Sequence, residues 1–181
     1  LHNKYIISHI KTGFIIIDQQ GAHERVLYER ILNALEKNKS LTQQELFPRT
    51  IELSAADFNL VKELKQEILA MGFDISEVGK NTFVINGTPI DSAGIDSVAL
   101  LEGLIENYKY NLQELKSNKR ENLAQSMARN MSIKAGKILT HEEMHNLIDE
   151  LFACKMPYNT PNGKPTIISF PLEDLDKRFK K

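Results

Sequence analysis

The sequence has little cysteine, no long apolar run and no excess of positive charge. Cys154 is the single cysteine among 181 residues, so no disulfide can form within the chain, which excludes a cysteine-rich secreted scaffold. No apolar run approaches the roughly 20 residues that cross a bilayer, and the first residues lack the pattern of a secretion signal. We therefore expect a cytoplasmic protein without a membrane partner.

The charges are balanced, with 23 Lys and Arg against 24 Asp and Glu and a formal net charge of -1. This balance lacks the positive excess that drives strong phosphate binding by counterion release. The charge balance argues against a stand-alone DNA binder, and we expect at most weak DNA binding. The sequence begins at Leu1 and runs directly into a strand-like pattern, which favours a piece of a longer protein.

The apolar pattern predicts an α/β chain of the mixed, α+β kind. The predicted strands are 5–10 and 14–17 (a hairpin), 50–53, 73–78, 82–88 and 166–170. The predicted helices are 22–38, 57–71, 97–108, one ending near 134, one opened by Thr140 and a short one from Pro171. Residues 39–49 are predicted to be a loop and 111–120 a polar crossing.

This order predicts two lobes. Residues 50–119 form a β-α-β-β-α lobe, inserted into a lobe built from residues 1–49 and 120–181.

One short motif, His141 to His145, satisfies the pattern His-Glu-x-x-His. It places two imidazoles one helical turn apart with Glu142 as a possible general base, as in zinc hydrolases. Thr140 and Glu143 also form a capping box, which explains these residue types without metal. Because no third ligand stands at the spacings such hydrolases use, the sequence favours the capping box.

A second motif places three acids where a strand turns into a helix. Asp18 ends the strand, and Glu24 and Glu29 lie in the first turns of the helix. Such positions often carry function. Spacing alone also allows Glu24 and Glu29 to be solvent-exposed helix residues without a chemical role. The carboxylate of Glu24 would then be stabilised by the positive end of the helix dipole.

This acidic pattern resembles the signature of bacterial MutL C-terminal domains that have nuclease activity. Residues 128–136 look like the family's Ala-Cys-Lys…Ile-Lys segment, and residues 160–166 look like its Cys-Pro-His-Gly-Arg-Pro-Thr segment. The three matches span most of the chain. The resemblance implies a two-lobed dimerisation domain in which the lobe of residues 1–49 and 120–181 pairs two chains.

The family's metal ligands are largely replaced. The resemblance implies metal ligands at five positions, and only Glu24 has a side chain of a type that binds these metals. The other four positions hold Gln20, Arg129, Thr160 and Asn162. Amide and hydroxyl groups are poor ligands for zinc or manganese, and a guanidinium repels metal. We hypothesise that an ion pair between Glu24 and Arg129 has replaced the metal.

The expected domain is therefore not an enzyme and holds no zinc, manganese or other cofactor. The alternative is a metal-dependent DNA endonuclease with a site rebuilt around Glu24, for which His23 is a spare ligand.

The loop segment from Gln43 to Pro48 resembles the sliding-clamp binding motif of MutL proteins. Gln43 is followed by Leu46 and Phe47, and Pro48 ends the segment. Such stretches dock as peptides with aliphatic and aromatic anchors. The alternative is that Leu46 and Phe47 pack under the loop.

The implied function is DNA mismatch repair in the bacterial cytoplasm. By resemblance, two chains form a homodimer in which edge strands such as 166–170 meet across a two-fold axis. The dimer holds together absent N-terminal ATPase domains, which bind ATP and Mg²⁺, and acts with the sliding clamp and with MutS.

Overall fold

The structure, a computed structural model, describes residues 1–37, 40–114 and 118–180. The structure does not describe residues 38–39, which end the first predicted helix and begin the predicted loop. It also does not describe residues 115–117 of the predicted crossing. The strands are β1 Tyr5–Ile10, β2 Gly13–Asp18, β3 Thr42–Glu52, β4 Asp74–Glu77, β5 Thr82–Pro89 and β6 Ile167–Pro171. The helices are α1 Gln19–Lys37, α2 Ala55–Glu63, α3 Lys65–Ala70, α4 Ser97–Glu114, α5 Lys119–Met131, α6 His141–Ala153 and α7 Leu172–Arg178, with a 3-10 turn at Ile90–Ser92.

Helices and strands alternate in mixed order around two small antiparallel sheets, which confirms the predicted α+β class. The chain divides into two compact units. The first unit contains residues 1–29 and the chain from residue 132 onward, and the second contains residues 30–131. The sequence placed the divisions at residues 49/50 and 119/120. In the structure, β3 pairs with β5 and α5 packs on α4, so β3 and α5 both lie in the second unit.

The first unit is built on a sheet of order β1-β2-β6. The predicted hairpin is confirmed, with β1 antiparallel to β2. Side chains alternate between the two faces of a strand, and one face carries Ile6, Ile15 and Ile17. This face forms the core with apolar residues of α1 and α6, which are Ala22, Val26, Leu147 and Leu151.

The second unit has a sheet of order β3-β5-β4. Its buried residues include Val61, Leu64, Ile68, Phe73, Phe83, Ile85, Leu100 and Leu104. Buried amides link α4 to α5, since Asn111 Nδ2 donates to Ser126 Oγ at 3.0 Å and Asn122 Nδ2 donates to the carbonyl of Tyr108.

Three predicted elements differ from the structure. The predicted crossing 111–120 is wrong at both ends, because α4 continues to Glu114 and α5 begins at Lys119. The predicted loop 39–49 is wrong over most of its length, because β3 begins at Thr42 and pairs with β5, with a register shift between Gln44 and Arg49. The predicted helix 57–71 consists of α2 and α3, separated by Leu64, whose ψ of 3° departs from helical values. None of the described helices is both long and apolar enough to span a membrane.

Candidate functional site

The strand-to-helix turn predicted from sequence is present in the first unit. β2 ends at Asp18 and α1 begins at Gln19. Asp18 Oδ1 accepts the backbone N–H groups of Gln20 and Gly21, both at 3.0 Å. This is the geometry of an N-cap, which satisfies amides that have no partner within the helix. Asp18 therefore has a structural role at this turn.

The turn at residues 159–165 lies against the start of α1. An added Cβ at Gly21 would lie 3.1 Å from Cγ2 of Thr160. Thr160 is buried, and its Oγ1 accepts the N–H of Lys164 at 3.1 Å. The structure thus brings together two of the three segments that carry the resemblance.

Glu29 and Arg25 hold the chain that leads into this turn. Glu29 accepts the N–H of Lys155 at 2.7 Å with Oε2 and that of Met156 at 3.1 Å with Oε1. Arg25 donates from Nε to the carbonyl of Asn159 at 2.6 Å. Its guanidinium also lies 3.6 Å from Glu29 Oε1. Hydrogen bonds to charged groups are among the stronger ones in proteins.

Arg25 is the residue that sequence reasoning missed. It is 5% exposed and therefore belongs to the interior of the first unit. Its four-residue separation from Glu29 on one helix face was the only sequence signal for the pair.

The predicted metal positions lie in different units. Gln20, Glu24, Thr160 and Asn162 are in the first unit, whereas Arg129 is on α5 of the second. Glu24 is buried, and Arg129 and Asn162 are exposed. The ion pair between Glu24 and Arg129 stays a prediction.

The spare ligand His23 is engaged with the backbone. Its Nδ1 accepts the N–H of Ile133 at 3.0 Å. Across residues 1–37, 40–114 and 118–180, no three His, Cys, Asp or Glu side chains are grouped so that they could hold a metal ion. Among the family's five metal positions, Glu24 is the one carboxylate, and the other four hold amide, hydroxyl or guanidinium groups. Such groups are poor ligands for zinc or manganese, so this donor set does not fit the family's metal.

The capping box at the start of α6 is confirmed. Thr140 Oγ1 accepts the N–H of Glu143 at 3.2 Å, and Glu143 Oε2 accepts the N–H of Thr140 at 2.7 Å. The hydrogen bond from the Thr140 backbone lowers the pKa of Glu143 below its ordinary value. His141 and His145 are exposed on the same helix, with ring centres 4.4 Å apart.

The clamp-like segment lies on the irregular part of β3 in the second unit. Leu46 is 90% exposed and Phe47 is 81% exposed, so neither side chain packs under the segment. The pairing with β5 stops after Gln44 and resumes at Arg49. A shallow cavity beside the segment is lined by Ile95 and Asp96 as well.

The sheet of the first unit has an apolar face turned away from its core. We call it the outer face; it consists of Tyr5, Ile7, Phe14, Ile16, Ile168 and Phe170. Ile7, Ile16 and Ile168 are directly opposite one another on three adjacent strands. Phe14 and Phe170 stack with ring centres 5.0 Å apart. Ile7 is 51% exposed and Ile168 is 56% exposed, so this apolar row is accessible in a single chain.

Comparison with known proteins agrees with the sequence resemblance. Residues 1–139 match the model of the MutL C terminal dimerisation domain. Over 179 residues, 99% of this chain, the sequence is 44% identical to the DNA mismatch repair proteins MutL of Chlorobium limicola and Chlorobium phaeobacteroides. It is 43% identical to that of Pelodictyon phaeoclathratiforme. The chain spans 28% of the first relative's length and 29% of the other two.

Proposed function

This chain belongs to the family of MutL C-terminal dimerisation domains, and from that membership we propose that it pairs with a second copy of itself through the outer face. The apolar row of Ile7, Ile16 and Ile168, in which Ile7 and Ile168 are exposed and Ile16 is half-buried, carries this proposal. Exposed apolar patches on a soluble protein mark interaction surfaces. A two-fold interface requires a surface that is complementary to itself, and a flat row of aliphatic side chains meets that requirement.

The position of β6 supports the same interface. β6 is an edge strand of the sheet, so it contributes Ile168 and Phe170 to the outer face and also an open strand edge. Pairing would remove both the apolar surface and the open edge from water.

Light scattering on variants tests the interface. We expect the wild-type chain to have the mass of a dimer and Ile168→Asp to have the mass of a monomer, because a buried unpaired carboxylate is strongly disfavoured. Val78→Asp is the matched control, since Val78 is 51% exposed in the second unit and should leave the dimer intact. A dimeric Ile168→Asp, folded by circular dichroism, would contradict the proposal.

In a protein of the relatives' length, the dimer would join two N-terminal ATPase domains that bind ATP and Mg²⁺ during DNA mismatch repair. MutS is the proposed upstream partner. The net charge of -1 supports only weak direct contact between this domain and DNA.

We also propose that this domain has no nuclease activity and binds no zinc or manganese at the family's site. The amide, hydroxyl and guanidinium groups at four of the five metal positions support this proposal, because such groups are poor ligands for zinc or manganese. We expect no nicking of supercoiled DNA in Mn²⁺ by wild type beyond that of Glu24→Ala. Nicking that Glu24→Ala abolishes would instead establish the alternative, an endonuclease rebuilt around Glu24.

The segment from Gln43 to Pro48 is the proposed docking site for the sliding clamp. Its support is the exposure of Leu46 and Phe47 on an irregular stretch of β3. A single short peptide buries little surface, so we expect weak binding that two copies in a dimer strengthen by avidity.

Surface plasmon resonance on immobilised clamp tests the docking site. Replacing both Leu46 and Phe47 with Ala should abolish binding, whereas Leu41→Ala should preserve it, since Leu41 is an exposed leucine just before β3. Equal binding by the two variants would contradict clamp docking at this segment.

A further inference from the structure

The start of α6 carries two histidines that the proposed function does not use. His141 and His145 are exposed and lie one helical turn apart, with ring centres 4.4 Å apart and ring planes at 61°. Residues four apart share one face of a helix, so both imidazoles are presented in the same direction. The capping box occupies Thr140 and Glu143 and leaves both imidazoles outside it.

We propose that His141 and His145 chelate one divalent late transition-metal ion, of the class of Cu²⁺, Ni²⁺ and Zn²⁺. Imidazole nitrogen is a preferred ligand for these ions. Two imidazoles on adjacent corners of a square-planar ion, with metal–nitrogen distances of about 2.0 Å, have ring centres about 4.5 Å apart. The observed 4.4 Å is close to that separation. Rotation about exposed side-chain bonds is fast, so the rings can turn their nitrogens toward a common ion.

The surroundings of the pair suit a cation. The positive end of the α6 dipole opposes a bound cation, but Glu142 and Glu143 lie in the same first turn and offset it. His141 and His145 also line a cavity together with His9 of β1 and the apolar side chains Met144 and Ile148. The ion would therefore be partly enclosed by this cavity, next to the edge strand β1.

This inference concerns binding alone. Its ligands differ from the residues of the proposed dimer contact and of the family's metal site, because neither Glu24 nor an apolar residue of the outer face supplies a ligand. The order of affinities for nitrogen ligands predicts Cu²⁺ as the tightest ion, and Mg²⁺, which prefers oxygen ligands, should not bind.

Calorimetric titration of the whole chain with Cu²⁺ tests the pair. All titrations use a His2→Gln background, because the exposed imidazole of His2 is a separate ligand for Cu²⁺. In that background we expect one ion per chain, and at least tenfold weaker binding after His141→Gln and His145→Gln together. Asn146→Gln is the matched control, since Asn146 is exposed on α6 next to His145, and it should bind as tightly as the background.

Two further measurements test the metal site directly, without comparing the affinities of variants. Paramagnetic Cu²⁺ should broaden the ring proton signals of His141 and His145, together with those of His9 in the same cavity, at concentrations that leave the signals of His23 sharp. Cu²⁺ should also raise the melting temperature, because an ion that binds the folded chain stabilises it by mass action. Unchanged affinity in the double variant, or broadening centred on other histidines, would overturn the proposal.

Discussion

Gly21 and Thr160 lie against each other at the start of α1. An alanine at position 21 would place its Cβ 3.1 Å from Cγ2 of Thr160, which is tighter than ordinary van der Waals contact. The methyl group of Thr160 thus uses space that an alanine side chain in place of Gly21 would need.

A double-mutant cycle measures this coupling. Gly21 lies in the first turn of α1, where replacing Gly with Ala reduces the freedom of the unfolded chain and stabilises the fold by about 0.4–1 kcal/mol. We expect Gly21→Ala to raise the free energy of unfolding only in the Thr160→Ser background, where the methyl group is absent. Thr160→Ser keeps the hydroxyl that accepts the N–H of Lys164. Urea unfolding should give a coupling free energy of about 1 kcal/mol. The same effect of Gly21→Ala in both backgrounds would contradict the proposed contact.

Glu29 stabilises the chain after α6 with both carboxylate oxygens. Glu29→Gln keeps one acceptor for the amides of Lys155 and Met156 and loses the other. We expect the free energy of unfolding to fall by about 1 kcal/mol. Glu36→Gln is the control, because Glu36 is exposed on the same helix. An equal effect of the two changes would show that the two amide bonds contribute nothing.

The sequence located this site but did not predict what its residues do. The strand-to-helix turn at Asp18 and the acids at positions 24 and 29 follow from local pattern. The bonds from Glu29 to Lys155 and Met156 join segments more than 120 residues apart. Local pattern carries no information on such contacts, and so it also missed Arg25.

The start of α6 is determined by residues that are close to it in the sequence. Thr140 and Glu143 satisfy each other's backbone amides, and this lowers the pKa of Glu143 below its ordinary value of 4.5. A carboxylate with a lowered pKa stabilises the folded state above its ordinary pKa, and this contribution disappears as the pH falls through the lowered pKa.

Stability measured against pH tests this cap. Above pH 4.5, the ordinary value, wild type should be more stable than Glu143→Gln. The difference should shrink as the pH falls through the lowered pKa of Glu143. Glu142→Gln removes a charge from the same turn without touching the box, so it should not reproduce this pH dependence. A difference that is constant with pH would contradict the capping assignment.

Elements that depend on local signals were predicted, and one that depends on pairing was not. The β1–β2 hairpin, the β4–β5 pair and α6 are confirmed. Residues 42–50 show no apolar alternation because almost all are exposed. Their strand conformation comes from pairing with β5 some 40 residues later, so the sequence predicted a loop.

At the scale of the whole molecule, the outer face is the surface through which we propose that two copies pair. Its residues come from β1, β2 and β6, and the register of the sheet aligns them. The alternation of side chains separates this face from Ile6, Ile15 and Ile17 in the core. Three adjacent strands with apolar residues on both faces therefore explain why one chain folds a core and still has an apolar surface.

The most direct test of dimerisation through the outer face is an isotope-filtered nuclear Overhauser measurement on mixed dimers, with isoleucine and valine methyl groups labelled in one copy only. We expect transfer between chains at Ile7, Ile16 and Ile168 and none at Val78. Dimers that show no transfer at these three isoleucines would contradict the proposed interface.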